Sequence, residues 1–298
     1  MAATQKPMIG VTGATGFIGQ RLIRKLFKEG YSIKAFVLEQ ESFLPKKVLV
    51  VKGNLVTGSG IKKFLKGVDI LVHLAARLLP PEEKMHEDNF IATKNLMEIA
   101  EKFPIKKTIF MSSAAVYGDK KGKIVTETIN CKPNIEYGRT KRLAEKFILN
   151  WEKGNKRTAF IFRPFNIYGP GNYKGVIYNF YKNIRKDGRV TIYGTGDQTR
   201  NFLFIDDVVS AILLGIKEKK GGIFNLASPE NYSVKKILVL FEKIFNKNIV
   251  PKFEYEEKGK VVELNLSAEK AKKILGWRAK VGLEKGLRKT IVWYDANL

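Results

Sequence analysis

Three glycines at three-residue intervals, Gly13, Gly16 and Gly19, divide an apolar run over residues 8–12 from a stretch of helical apolar spacing. That stretch places Ile18, Leu22, Ile23, Leu26 and Phe27 on one face. No other feature restricts the fold as much. A strand has to end, turn tightly and enter a helix within a few residues. The first glycine permits a dihedral that other residues disfavour. The second lets the backbone approach a pyrophosphate without a Cβ in the way, and the third lets the helix pack on the strand. The helix start then offers N–H groups and a positive dipole end to phosphates. A glycine triplet alone is a weak signal, but here it sits between a strand and a helix. The turn predicts a dinucleotide bound on a Rossmann-type domain.

The pattern downstream agrees. Gly30 stops the first helix. Strands are predicted over 32–38, 47–52, 69–75, 107–112 and 157–163, and helices over 60–66, 89–102 and 137–152. Such alternation implies an α/β fold with a doubly wound parallel sheet and right-handed crossovers. Beyond Arg163 the alternation breaks down and glycine and proline become frequent, as in Asn166-Ile167-Tyr168-Gly169-Pro170-Gly171-Asn172. The expected division is a dinucleotide-binding domain over 1–164 and a smaller C-terminal α/β lobe over 165–298, mainly for substrate. Segments near 200–227 are expected to pack back on the first domain.

Composition excludes several classes. The 298 residues contain one cysteine, Cys131, and two histidines. These numbers disfavour a zinc site and fit a reducing cytoplasm. No apolar run of about 18 residues exists to cross a membrane. Residues 1–7 lack the apolar core of a secretion signal. The formal charge of +25 raises nucleic-acid binding as a possibility. The lysines are scattered and mixed with glutamates, as in Lys217-Glu218-Lys219-Lys220, and no basic stretch is interleaved with aromatics. Solvated lysine-rich faces are therefore the preferred reading, and nucleic acid is not expected as a partner. A positive field would still draw in anionic nucleotides.

The end of the second strand chooses the dinucleotide. An acid there binds the ribose hydroxyls of NAD, and an arginine the extra phosphate of NADP. The sequence reads Phe36-Val37-Leu38-Glu39-Gln40, with Glu39 the acid near the right distance and no arginine. NAD is favoured over NADP. Tyr137 and Lys141 are four apart on a predicted helix and share a face. A tyrosine, with a free pKa of about 10, is a poor base at neutral pH. A neighbouring cation favours the phenolate. Tyr137 is then able to take a hydroxyl proton while a hydride leaves for the nicotinamide. Ser113 ends a predicted strand on the edge where open α/β sheets bind ligands.

These residues carry a family resemblance. The chain resembles the extended short-chain dehydrogenase/reductases, in particular the NAD-dependent nucleotide-sugar epimerase/dehydratase family, from about Ile9 to Tyr294. Matching segments include 12–19, Val72-His73-Leu74-Ala75-Ala76, Ser112-Ser113-Ala114-Ala115-Val116-Tyr117-Gly118 and Tyr137-Gly138-Arg139-Thr140-Lys141. They continue with Arg163-Pro164-Phe165-Asn166, Arg200-Asn201-Phe202 and Leu275-Gly276-Trp277. The resemblance implies Tyr137 as base, Lys141 holding the nicotinamide ribose and lowering the tyrosine pKa, and Ser113 assisting. It implies Phe17 and Ile18 N–H groups at the pyrophosphate, and Asn54 and Leu55 beside the adenine. Leu74, Ala75 and Ala76 would line the cofactor path, and Asn89 would steady the strand ends. Pro164 and Phe165 would lie near the nicotinamide. Asn166 and Arg200 would reach the phosphates of a sugar nucleotide. A homodimer is the family expectation.

Three departures stand out. The family commonly has Asp at the positions of Asn54 and Asn201. An arginine expected before the last strand of the substrate lobe is replaced by the stretch Glu256-Glu257-Lys258-Gly259-Lys260, where Lys258 is a point charge rather than a fork. The reaction follows from a further comparison within the family. Its 4,6-dehydratases carry an acid pair after the catalytic hydroxyl, where this chain has Ala114-Ala115. Its epimerising reductases use additional Cys or His residues, a role that suits neither His73 nor His86. The resemblance therefore implies a UDP-sugar 4-epimerase, such as UDP-glucose/UDP-galactose, with NAD regenerated at each turnover. The sequence also admits two alternatives. One is an NAD(P)-dependent reductase or dehydrogenase of a small ketone or alcohol. The other is a non-catalytic dinucleotide- or RNA-binding member of the fold.

Overall fold

The computed structural model describes residues 6–39, 44–120, 122–153, 156–255 and 264–298. It divides into two compact units. The first takes residues as far as Gly118, then Asn130–Arg163 and Val209–Phe224. The second takes Asp119–Ile129, Pro164–Val208 and Asn225–Leu298.

The first unit begins with strand β1 (Met8–Thr12), the glycine turn and helix α1 (Phe17–Lys28). Gly19, Leu22, Ile23 and Leu26 are the buried face of α1, spaced three, one and three apart as a 3.6-residue period requires. Strands β2 (Ser32–Val37) and β3 (Leu49–Lys52) follow, then helix α2 (Ile61–Leu65) and strand β4 (Ile70–His73). A π-helical turn, His86–Ile91, runs into helix α3 (Ala92–Ala100). Strand β5 (Lys107–Met111), helix α4 (Glu136–Glu152), strand β6 (Thr158–Pro164) and strand β7 (Gly222–Leu226) complete the sheet. The strand order is β7-β6-β5-β4-β1-β2-β3, parallel from β3 through to β6. β4 is buried along its whole length, the signature of a parallel strand covered on both faces. The order reverses between β1 and β4, and such a switch point opens a crevice at the carboxyl ends of the strands.

Sequence and structure differ at several ends. Residues 69–75 are expected as strand, yet β4 stops at His73, paired with Thr12. β1 turns away at Gly13, so Leu74 and Ala75 lose a partner strand. Residues 89–102 are expected as helix, and helical structure instead begins before Asn89 through the π turn.

The second unit is built from short pairings. Ile167–Tyr168 pairs with Leu203–Phe204, and Arg189–Tyr193 with Val250–Glu254, both parallel. Thr199–Asn201 runs antiparallel to Asn231–Ser233. Helices Gly175–Asp187 and Val234–Phe245 meet through Phe180 and Phe241, whose ring centroids lie 5.9 Å apart. Trp277 is buried and donates from Nε1 to the Asp207 carbonyl at 3.0 Å. Among the described residues no helix is long and apolar enough to cross a membrane.

Candidate active site

The glycine turn lies against the end of β4. Gly13 has φ 64°, and a Cβ there would meet Ala75 N at 2.6 Å. A Cβ on Gly19 would meet the Gly13 carbonyl at 2.1 Å, so this position admits nothing larger than glycine. Gly16 differs, because a Cβ would find the Gly13 oxygen at 3.2 Å and no other close atom. At Gly16 the missing side chain clears space toward the start of α1. That helix start has neither a side-chain cap nor an acidic residue in its first turn. Phe17, Ile18 and Gly19 thus form an uncapped, positively polarised terminus, the arrangement an anionic pyrophosphate requires.

The residues expected to surround a dinucleotide fall as follows. Leu74 and Ala75 are half-buried over the turn, and Ala76 is exposed. The Leu74 N–H donates to the Thr12 carbonyl at 3.2 Å. Glu39 is exposed on a bend two residues past the end of β2, and Gln40 lies outside the described residues. Asn54 follows β3, and its Oδ1 accepts from Val56 N at 2.8 Å. This turn-forming role needs an acceptor that Asn and Asp both supply. Leu55 is buried. Asn89 is also buried; its Oδ1 accepts from Arg77 N at 2.7 Å and its Nδ2 donates to Thr140 Oγ1 at 3.2 Å. Asn89 thereby ties the loop after β4 to α4.

Ser113, Tyr137 and Lys141 are brought together. Ser113 has extended backbone, and its Oγ accepts from Ala115 N at 3.1 Å, capping the turn Ala114–Tyr117. Its hydroxyl also hydrogen-bonds Tyr137. Lys141 lies one turn along α4 with its Nζ 6.0 Å from the Tyr137 ring centroid. That ammonium donates to the Met111 carbonyl at 2.8 Å and sits 4.6 Å from the Phe110 ring centroid. Burial pushes Tyr137 up to about 12, opposed by the Ser113 hydrogen bond. Burial also pushes Lys141 down to about 7, opposed by the charge of Glu145. From sequence, the Lys141 cation is expected to pull the tyrosine below its ordinary value. In the protein's own field, desolvation of the phenolate outweighs that pull. A further positive charge at this place would be needed to make the phenol a base.

What lies under this group is not among the sequence expectations. Glu145, Arg163, Ser112 and Tyr117 form a buried polar cluster, with Glu145 Oε2 2.6 Å from Arg163 Nη2. The signal was present in the chain, since Glu145 follows Tyr137 and Lys141 at four-residue steps on the same face. His73 is also buried, between Thr12 Oγ1 at 2.6 Å and Thr93 Oγ1 at 2.9 Å. Burial pushes it down to about 3, helped by the Lys141 charge, so it is neutral.

In the second unit Asn166 adopts φ 39°, and its Nδ2 donates to the Asn201 carbonyl at 3.1 Å. Asn166 is thus tied to the strand that carries Arg200, a half-buried residue whose Nη1 donates to the Thr199 carbonyl at 2.9 Å. Pro164 closes β6 and Phe165, half-buried, follows it. Lys258 and its neighbours lie outside the described residues.

The chain as a whole is similar to known proteins. A model of the NAD dependent epimerase/dehydratase family matches residues 9–227. The UDP-glucose 4-epimerase of Thermotoga maritima, solved with UDP-glucose, superposes with a TM-score of 0.90 at 27% identity, covering 97% of this chain and 99% of that one. The UDP-glucuronic acid 4-epimerase of Bacillus cereus, solved with UDP-glucuronic acid and NAD, gives 0.87 at 26% identity over the same shares. The UDP-glucuronate 4-epimerase of Thermodesulfobacterium geofontis is 25% identical, covering 97% of this chain and 96% of its own length.

Proposed function

The chain belongs to the NAD-dependent epimerase/dehydratase family, and from that premise we propose that it is a UDP-sugar 4-epimerase. The observation that carries the reading is the Ser113, Tyr137 and Lys141 cluster at the carboxyl end of β5, with alanines at 114 and 115 where dehydration needs acids. Bound NAD would supply the hydride acceptor, whose oxidised ring carries a positive charge, and then the donor that returns the hydride. Tyr137 Oη takes the proton of the sugar 4-hydroxyl and gives it back after the keto sugar has turned over. Ser113 Oγ holds the substrate oxygen and steadies the phenolate. Lys141 holds the nicotinamide ribose and adds positive charge beside Tyr137.

The remaining assignments belong to the same reading. Gly13, Gly16, Phe17, Ile18 and Gly19 hold the pyrophosphate, Glu39 the ribose, and Asn54 and Leu55 the adenine. Leu74, Ala75, Ala76, Asn89, Pro164 and Phe165 line or brace the nicotinamide half. Asn166 and Arg200, in the second unit, bind the phosphates of the sugar nucleotide. The same reading takes the protein as a homodimer, which light scattering tests, and as cytoplasmic, which cell fractionation tests. UDP-galactose incubated with NAD-loaded protein is expected to yield UDP-glucose, without net consumption of added NADH. No interconversion of UDP-sugars, with NAD demonstrably bound, would refute the reading.

A further inference from the structure

Two charges beneath the cluster have no part in the steps above. Glu145 is fully buried on α4, one turn beyond Lys141 and two beyond Tyr137. Its Oε1 accepts from Ser112 Oγ at 2.6 Å and from Arg163 Nε at 2.7 Å. Its Oε2 accepts from Arg163 Nη2 at 2.6 Å and from Arg142 Nη1 at 2.9 Å. Arg163, on β6, is 1% exposed, and its Nη1 donates to the Tyr117 hydroxyl at 2.8 Å. Ser112 directly precedes Ser113, and Tyr117 ends the short turn that Ser113 caps. One ion pair therefore grips both ends of the segment that carries Ser113. It also joins that segment to the helix that carries Tyr137 and Lys141.

A buried ion pair is an inefficient way to stabilise a fold, since apolar residues of similar volume often serve as well. A carboxylate here does something they cannot. Its charge lies one helical turn from a buried ammonium, and its four accepted hydrogen bonds fix where that charge sits. Building on the epimerase reading, we propose that Glu145, clamped by Arg163, is the positioning residue of the reaction: it sets Ser113 against Tyr137 and places its negative charge beside the Lys141 ammonium.

The groups that face Lys141 fix the sign of the effect. Tyr137 and Glu145 come from its own helix, His73 from β4, and the Met111 carbonyl and Phe110 ring from β5. His73 is neutral above about pH 3 and contributes no charge at working pH. Arg142 and Arg163 act through Glu145, and Tyr117 and Cys131 lie in the field of Arg163. Removing the Glu145 charge disfavours the Lys141 cation. Tyr137 titrates well above Lys141, where Lys141 is already neutral, so there the lost negative charge acts directly and favours the phenolate, and both groups lose their protons at lower pH. Removing the Arg142 charge does the reverse, and Arg142 is partly exposed with Arg163 still bound to Glu145.

The test uses NAD-loaded protein and the ultraviolet absorbance of the Tyr137 phenolate, read as the difference from Tyr137→Phe. Glu145→Gln is expected to move this titration down by roughly 0.5–1 pH unit and Arg142→Gln up by less. With UDP-sugar, Glu145→Gln should lower kcat about 10–100-fold and leave KM within about threefold, at undiminished NAD content. A titration that neither variant moves, or that both move in one direction, overturns the proposal. So does a loss of kcat that merely follows the unfolded fraction. If Glu145→Gln does not fold, Arg142→Gln decides alone: an upward shift supports the clamp and an unmoved titration rejects it. If the wild type interconverts no UDP-sugar, the epimerase reading falls, and the titration still decides the role of Glu145.

Discussion

In the first unit, the segment that carries Ser113 is tied down by charge, through Glu145 and Arg163. In the second, the strand that carries Arg200 is tied down by an amide. Asn201 is 1% exposed; its Nδ2 donates to the Ser228 carbonyl at 2.8 Å and to Asn231 Oδ1 at 3.0 Å, and its Oδ1 accepts from Ser228 N at 2.8 Å. Both devices anchor a segment to which the proposed function assigns a role, each through one buried side chain, but they reach different distances. An ion pair projects a field onto its neighbours, whereas an amide acts only on the groups it touches. The charged anchor lies where the proposed reaction moves a proton, and the neutral one where the same proposal puts phosphate binding. The same contacts account for an amide at 201 in place of the carboxylate that the resemblance implies. An aspartate at 201 would face acceptors at Ser228 O and Asn231 Oδ1, and an asparagine donates to them.

The largest test of this contrast is catalytic. Tyr137→Phe should lower turnover by about 10²–10⁴-fold, the usual worth of a general base, while the protein retains NAD. Arg200→Ala, in the other unit, should raise KM for the UDP-sugar about tenfold with kcat little changed, as expected for uniform binding. Steady-state kinetics on both variants check this, and a kcat loss in Arg200→Ala would erase the distinction between the units.

The next effect is on stability. Arg163→Met leaves a buried carboxylate with a partly exposed arginine as its remaining charged partner, and should cost about 3–5 kcal/mol in denaturant unfolding. Asn201→Asp should cost less, about 1–3 kcal/mol, for setting a carboxylate against lone pairs. Reversed order would mean that the amide is the stronger anchor.

The smallest effect is on pH dependence and belongs to the first unit, which holds both histidines. Thr93 Oγ1 donates to the Asn89 carbonyl at 2.5 Å, so the His73 Nε2–H donates to Thr93, and Thr12 Oγ1 donates to Nδ1. The folded His73 stays neutral down to about pH 3, against 6.5 for the free group. Its contribution to stability is complete above pH 6.5 and is lost as pH falls toward 3, because the unfolded chain binds the proton first. Hydrogen exchange should show β1 and β4 loosening in this window, with a weaker pH dependence in His73→Gln. Equal acid sensitivity in wild type and variant would contradict the assignment.

Much of the first unit was legible because its signals are local. The glycine turn, the Tyr137–Lys141 pair and the alternation of strand and helix each lie within one turn or one βα step. Glu145 escaped because in sequence it sits beside Arg142 and Lys146, as a solvated helix charge would. Its partner Arg163 is 18 residues away on another element, so burial of the pair follows from tertiary packing. The second unit was legible mainly through resemblance. Its strands are two to five residues long and pair across wide separations, such as Ile124 with Asn265, so periodicity carries little information there. Asn201 looked like a lost charge in sequence, and its partners became visible only once Ser228 and Asn231 were folded against it.

In the proposed reaction a single hydride leaves C4 of a UDP-sugar and returns to the same carbon while Tyr137 holds the proton. UDP-glucose deuterated at C4 tests it most directly, with product analysed by mass spectrometry and proton resonance. The expected product is UDP-galactose that keeps the label at C4, with none in the medium. Label lost to free nicotinamide cofactor, or product formed only in proportion to added NAD(P)H, would contradict it.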